Sequence, residues 1–330
     1  MALHLSSALE VLGQIPELVV QTEVPLAALT RFSIGGPARI LVDSTNATCF
    51  ATALKAVRDH GWPHVVIGCG TNLIVSDSGF DGVVLRFRGA ALDLKDLHLR
   101  VEAGAILQDV VDFSVHHGLS GIQSMTGIPG NVGAAVYGNA GAYGQSIDQC
   151  VSGVDYTDGE ARFTLTSAEC EFEYRESIFK RRKDWIILTV DLDLNPGDSA
   201  LLYSTAFEIH NIRDAKYPPT MKCAGSIFKN CLFAALPLTV QSQVPIKLVK
   251  GGKVPSAWFL EQVDAKGIRK GDIQVAPYHA NLIYNDGHGK ASDLVAIISD
   301  LQSRVHSRFG FDLETEVQFI GFDGPSSSHP

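Results

Sequence analysis

Apolar positions along this chain follow two periods, and the switches between them mark its elements. A short helical lead gives way to residues 31–42 (RFSIGGPARILV), which read as strand, glycine turn and strand. Asn46 can then cap a helix over residues 46–60 that Gly61 ends. Two β-branched runs, 64–68 and 83–87, flank a loop rich in Gly, Asn, Ser and Asp, the kind of connection where a ligand meets backbone amides. A strand over 98–104 leads to an amphipathic helix over 106–117, stopped by Gly118. Residues 151–157 and 160–165 alternate on either side of Asp158-Gly159, a pair suited to a two-residue hairpin turn. A strand over 185–194 and a helix over roughly 201–215 lead to the break at Tyr217-Pro218-Pro219. Beyond it, residues 256–264, 273–285, a helix over 293–309 and a strand over 315–321 predict a separate α/β layer. In that last strand Val317 and Phe319 fall on one face, and Glu316, Gln318 and Ile320 on the other.

These elements divide the chain into parts at 1–88, 89–210 and 211–322, with a polar tail at 323–330 that reads as disordered. The densest glycine segment, residues 118–144, carries Ile122, Met125, Ile128, Val132, Val136 and Tyr143 between its glycines. Those apolar residues argue against a solvated linker and for backbone wrapped closely around something.

Composition narrows the function. A chain of 330 residues, 45% hydrophobic, can bury a sizeable core. With 27 basic and 36 acidic residues its formal charge is -9, which argues against a nucleic-acid partner. The six cysteines show no CxxC spacing, so neither zinc nor a disulfide framework is indicated, and reduced thiols of a cytoplasmic protein are the simpler reading. The N-terminus lacks a basic region followed by a long apolar run, and no later stretch has the length of a membrane span, so neither secretion nor membrane insertion is expected.

No GxGxxG opens a helix after a strand and no GxxxxGK[ST] occurs, so a Rossmann nicotinamide site and a P-loop are not indicated. Instead there are two glycine-rich loops, Gly68-Cys69-Gly70-Thr71-Asn72 and Pro129-Gly130-Asn131-Val132-Gly133, whose amides can face a pyrophosphate without side-chain obstruction. Either loop alone is as readily a tight turn. Arg175 alone, close to the basic run 180–183, is a surface arginine; Glu316 faces water; Ser226 is a turn serine; His279 is a core histidine bonded to backbone.

The ensemble changes those readings, because in chain order it resembles one family, UDP-N-acetylenolpyruvoylglucosamine reductase. The segments that carry the resemblance are RFSIGGPA, GCGTNLIVSDSGFDGVVL, GIPGNVGAAVYGNAGAYG, YRESIFK, AGSIFKN, HANLIYN and LETEVQFIG. The chain departs from the family pattern at Cys69, Thr71, Asn131 and Cys231, none of which replaces a charged or hydroxyl residue of the implied site. The resemblance implies an α+β protein: a two-part FAD-binding domain of the vanillyl-alcohol-oxidase type followed by an α/β substrate-binding domain. The short span from Arg175 to Ser226 resembles the subclass lacking an extra tyrosine-bearing loop.

The implied activity is reduction of the enolpyruvyl ether of a UDP-sugar in peptidoglycan synthesis, with FAD as cofactor and NADPH as hydride donor. The implied catalytic residues are Arg175 on the substrate carboxylate, Glu316 as a protonated carboxyl donating to the developing enolate, and Ser226 delivering the final proton. FAD would be held by Gly68, Gly70, Thr71, Asn72 and Leu73; by Gly127, Ile128, Pro129, Gly130, Val132 and Gly133; and by Asn139, Gly141 and Arg213. Lys216, Asn230 and His279 would contact substrate. Two alternatives remain at this point: an oxygen-using oxidase of the same flavin class, and a binding module without turnover. The matches at residues 225–230 and 315–321 lie outside the shared flavin fold and argue against the first; intact Arg175, Ser226 and Glu316 argue against the second.

Overall fold

The computed structural model describes residues 4–322, so the tail at 323–330 lies outside the described residues. Contacts divide the chain into two compact units made of interleaved segments. The first comprises the residues up to Val24, Ala38–Cys69 and Asp81–Pro219; the second comprises Pro25–Pro37, Gly70–Phe80 and the residues from Thr220 onward. Boundaries drawn from sequence at 88 and 210 are single cuts, whereas here two short excursions of the N-terminal half belong with the C-terminal unit.

In the first unit a four-stranded sheet runs Leu18–Pro25, Pro37–Ser44, Phe80–Phe87, His64–Val66. The last two strands pair in parallel, His64 opposite Val83. Parallel pairing needs a crossover connection, which residues 67–79 supply; the helix Ala47–Asp59, which comes before this pair in the chain, buries Phe50, Ala53, Leu54 and Val57. Its expected cap forms: Asn46 Oδ1 accepts from the amides of Thr48 at 2.8 Å and Cys49 at 3.2 Å. A five-stranded antiparallel sheet follows, in the order Arg162–Thr166, Val151–Thr157, Ile186–Asp193, His98–Glu102, Leu92–Lys95. Ile40, Val83 and Leu85 of the first sheet share one core with Val101, Val154 and Val190 of the second. The helices Leu107–His116 and Ser199–Lys216 also contribute to this unit.

In the second unit the strands Arg269–Lys270, Ile273–Val275 and Ile283–Asn285 form a small antiparallel sheet. The helix Ala291–Phe309 buries Leu294, Ile297, Ile298, Leu301, Val305 and Phe309, and ends on Gly310 at φ +74°. Its N-terminus is capped from afar: Asp77 accepts from the amides of Ala291 at 2.7 Å and Ser292 at 3.0 Å. Leu73–Val75 pairs in parallel with Gln318–Ile320.

Four expectations need correction. Residues 31–34 form no strand; Phe32 and Ile34 are buried in an irregular segment. The helical lead covers only Leu5–Gly13, after which Leu18–Pro25 is a strand, its mostly exposed surface giving little alternation to read. The hairpin closes with Thr157 opposite Arg162, so four residues intervene, and Asp158 Oδ1 accepts from the amides of Glu160 and Ala161 at 2.9 Å each. The last strand begins only at Gln318, and Val317 and Ile320 are both buried, so strict alternation fails there.

Candidate active site

In the first unit Arg175 sits in strained backbone. It has φ +59°, and Asn139 and Tyr143 are also left-handed at +39° and +53°. Such conformations cost about 1–3 kcal/mol per residue and persist only where surrounding bonds impose them. Those bonds are present. Asn139 Nδ2 donates to the Glu173 carbonyl at 2.9 Å. The Arg175 guanidinium donates to the carbonyls of Gly141 at 3.0 Å and Asn139 at 3.4 Å. Lys180 Nζ donates to the Arg175 carbonyl at 2.7 Å and lies 3.2 Å from Glu176. Ser177, fully buried, donates to the Tyr137 carbonyl at 2.7 Å. Burial, followed by the Glu176 charge, pushes the Tyr137 phenol up to about 12. Lys180 and Asn139 Nδ2 thus fix the arginine's backbone, a task that a basic run read from sequence does not reveal.

The start of the first glycine loop, Gly68 and Cys69, meets the second loop in the same unit. A Cβ on Gly68 would lie 2.6 Å from Asn131 Oδ1, so the Asn131 amide fills the space a side chain would take. Asn131 is buried and also accepts from the Ala134 amide at 3.2 Å, capping the turn Val132–Tyr137. This departure from the family pattern thus serves as a helix cap. Gly127 at φ +74° donates to Gln108 Oε1 at 2.7 Å, and a Cβ there would come within 3.0 Å of Arg213 Cδ. Gly130 accepts from Leu107, Val132 donates to Ala105 and Gly133 donates to Ala103, at 2.8–3.0 Å, while Ile128 donates to Met125 at 3.0 Å. Pro129 lies between these anchored residues. The amides of Gly127, Ile128, Val132 and Gly133 are thus spent within the protein and do not face a pyrophosphate as the sequence suggests; what suits the anionic pyrophosphate of FAD here is glycine backbone open to close approach with the Arg213 side chain beside Gly127. Lys216 ends the helix that carries Arg213, its Nζ 4.9 Å from the Tyr217 ring centroid.

The second unit holds Ser226 and Glu316. Ser226 follows Gly225, at φ +80°, and pairs with Leu282. The buried Asn281 side chain accepts from the Phe228 amide at 2.9 Å and donates to the Phe228 carbonyl at 2.8 Å. From the other side the Glu316 amide donates to the Ile227 carbonyl at 2.7 Å, and Phe228 pairs with Thr315. Main-chain bonds thus set half-buried Glu316 opposite the residue next to Ser226. Lys229, buried, pairs with Glu314. His279 Nδ1 accepts from the Asn281 amide at 3.2 Å, the backbone role its residue type suggests, and Asn230 Oδ1 accepts from the Ser256 amide at 3.4 Å.

The first glycine loop continues here with Gly70, Thr71, Asn72 and Leu73. Gly70 has φ +65°, and a Cβ on it would lie 1.9 Å from the Leu29 carbonyl oxygen, so no other residue fits without rebuilding the turn. Asn72 Nδ2 donates to the Glu316 carbonyl at 2.9 Å. The structure therefore brings Ser226, Glu316 and Asn72 together in one unit, and Arg175, Asn139 and Gly141 together in the other. Asn281 was not anticipated; its place two residues after His279 in HANLIYN was the available signal.

Residues 217–320 match the profile of the C-terminal domain of UDP-N-acetylenolpyruvoylglucosamine reductase, and residues 38–165 match that of an FAD binding domain. The UDP-N-acetylenolpyruvoylglucosamine reductase of Solibacter usitatus (strain Ellin6076) is 52% identical over 94% of this chain and 99% of its own length. That of Pseudothermotoga lettingae is 34% identical over 91% and 97%. The crystal structure of the Thermus caldophilus reductase superposes with a TM-score of 0.70 at 28% identity, covering 92% of this chain and 98% of that one. Matches over both parts of the chain, and a full-length relative sharing half its residues, place this chain in the UDP-N-acetylenolpyruvoylglucosamine reductase family of FAD-dependent oxidoreductases.

Proposed function

We propose that this chain reduces UDP-N-acetylglucosamine enolpyruvate to UDP-N-acetylmuramate, with NADPH as hydride donor, in the cytoplasmic part of peptidoglycan synthesis. Among the described residues no helix is long and apolar enough to cross a membrane. The observation that supports the assignment of residues is the bond from the Glu316 amide to the Ile227 carbonyl, which holds the main chain that carries the carboxyl against the residue next to Ser226.

FAD, when bound along the glycine loops and Arg213, supplies the hydride. The protein's part follows from the charge that builds up on the substrate. Hydride addition to the methylene carbon pushes an electron pair toward the attached carboxylate, so the transition state resembles an enolate dianion. Arg175 stays charged and offers a planar fork of donors to that carboxylate, and its anchorage on two backbone carbonyls keeps the fork oriented. Glu316 donates a hydrogen bond to the developing enolate. Ser226 passes its hydroxyl proton to the adjacent carbon, a task open to a weak acid because the acceptor is strongly basic. Lys216, Asn230 and His279 hold the rest of the substrate.

Anaerobic half-reactions test this reading. Glu316→Gln and Arg175→Lys should slow flavin reoxidation by the enolpyruvyl sugar far more than flavin reduction by NADPH. Equal slowing of both steps would point to damage at the flavin and remove these residues from the enolate.

A further inference from the structure

Glu316 is held at both polar atoms of its main chain. Its amide donates to Ile227, and its carbonyl accepts from the side chain of Asn72, 244 residues away, at 2.9 Å. The Asn72 carbonyl in turn accepts from the Gln318 amide at 3.0 Å. Asn72 therefore bridges across Val317, one bond on either side of it. The residues that follow extend the clamp: Leu73, Ile74 and Val75 lie opposite Gln318, Phe319 and Ile320 in parallel register. We propose that Asn72 is a positioning residue, which ties the first glycine loop to Glu316 and fixes the direction in which that carboxyl leaves the backbone.

The chemistry restricts the position to a short side chain with an N–H. Aspartate has the same shape but would set a carboxylate oxygen against the Glu316 carbonyl, repelling it. Leucine fills the volume and donates nothing. Losing the bond takes this partner from the Glu316 carbonyl and loosens the main chain between residues 316 and 318, and a misplacement of about 1 Å in a group that must meet the transition state is enough to cost on the order of 10²-fold in rate. The inference rests on the proposed role of Glu316 in the reaction.

The test is a double-mutant cycle on the FAD-loaded protein with Asn72→Ala and Asn72→Asp, each made alone and with Glu316→Gln. Flavin reoxidation by the enolpyruvyl sugar should slow by on the order of tenfold or more in either single variant at saturating FAD, with reduction by NADPH changed less. In the Glu316→Gln background the same substitutions should add less than about twofold. Amide hydrogen exchange should quicken at Glu316 in both variants, with or without substrate. Full additivity, equal slowing of both half-reactions, or unchanged exchange at Glu316 would each overturn the proposal. If Glu316→Gln alone leaves reoxidation unchanged while exchange still quickens in the Asn72 variants, the clamp stands and the role given to Glu316 is what fails.

Discussion

The surroundings of Arg175 and those of Ser226 solve one problem in opposite ways. Around Arg175 the main chain is strained, with Arg175, Asn139 and Tyr143 left-handed and the side chains of Asn139, Arg175 and Lys180 reaching the carbonyls of Glu173, Gly141 and Arg175. Around Ser226 three segments lie side by side, joined by ordinary main-chain bonds and the amide of Asn281. The first arrangement stores conformational energy to aim a long, flexible cation. The second needs little strain, because a serine and a carboxyl on adjacent bridged segments are already close to fixed. Lesions in the first region should therefore appear in catalysis, and lesions in the second in stability, unless, as at Asn72, they cut a bond that aims a reacting group, or they remove the reacting group itself.

The largest effect should come from that exception. Ser226→Ala should leave FAD binding and NADPH reduction nearly intact while flavin reoxidation by substrate falls by roughly 10²–10⁴-fold, the range for losing a positioned general acid. Ser226→Cys should retain more activity, since a thiol still carries a proton there. Cysteine no better than alanine in stopped-flow reoxidation, with both variants folded, would make Ser226 structural.

A pair of asparagines tests the comparison directly. Asn281→Ala leaves the buried amide and carbonyl of Phe228 without their partner and should cost about 2–4 kcal/mol in chemical denaturation, as two lost buried bonds would. Asn139→Ala removes the 2.9 Å bond to the Glu173 carbonyl, a long 3.4 Å one from the Asp148 amide, and a residue type that tolerates φ +39°, for about 1–2 kcal/mol, yet should slow reoxidation more than its stability loss explains. The reverse ranking in either measurement would break the contrast.

The smallest effect concerns Asp77. Burial pushes its carboxyl up, but the amides of Ser292 and Ala291 outweigh that and hold it below its ordinary 3.8. A depressed folded value means the stabilisation is present above the unfolded value and is lost as pH falls through the folded one. Asp77→Ala should cost about 1 kcal/mol at neutral pH, the usual worth of a cap. Because Asp77 is exposed the pH dependence is shallow, and the difference from wild type should shrink below pH 3.8. A constant difference across that range would show that Asp77 acts by packing.

What was legible in the sequence follows the range of the interactions. Helix starts and stops were read correctly at Asn46, Gly61 and Gly118, where cap and helix are neighbours in the chain. Amphipathic helices and alternating strands were found because one face of each is buried. Residues 31–34 misled because Phe32 and Ile34 are buried by segments far off in the chain, which periodicity cannot register. The strand at 315–321 was overdrawn for the same reason, since Glu316 is placed by Ile227 and Asn72. In the site, the residue types were visible as motifs. Their supports, Lys180 under Arg175 and Asn281 under Phe228, were not, because a lysine in a basic run and an asparagine in a turn have no local signature of what they hold.

The interleaving of the two units bears on how the protein is made. Residues 70–80 leave the ribosome early, yet the strand Leu73–Val75 finds its partner only at Gln318–Ile320, and Asp77 waits for the helix Ala291–Phe309. A chain that grows from its N-terminus at several residues per second must carry this segment without its partner for most of its synthesis. Closing so long a loop late is entropically modest but slow. The nascent protein thus exposes an unpaired apolar strand until residues 318–320 emerge, and an open strand edge of that kind is a site of aggregation.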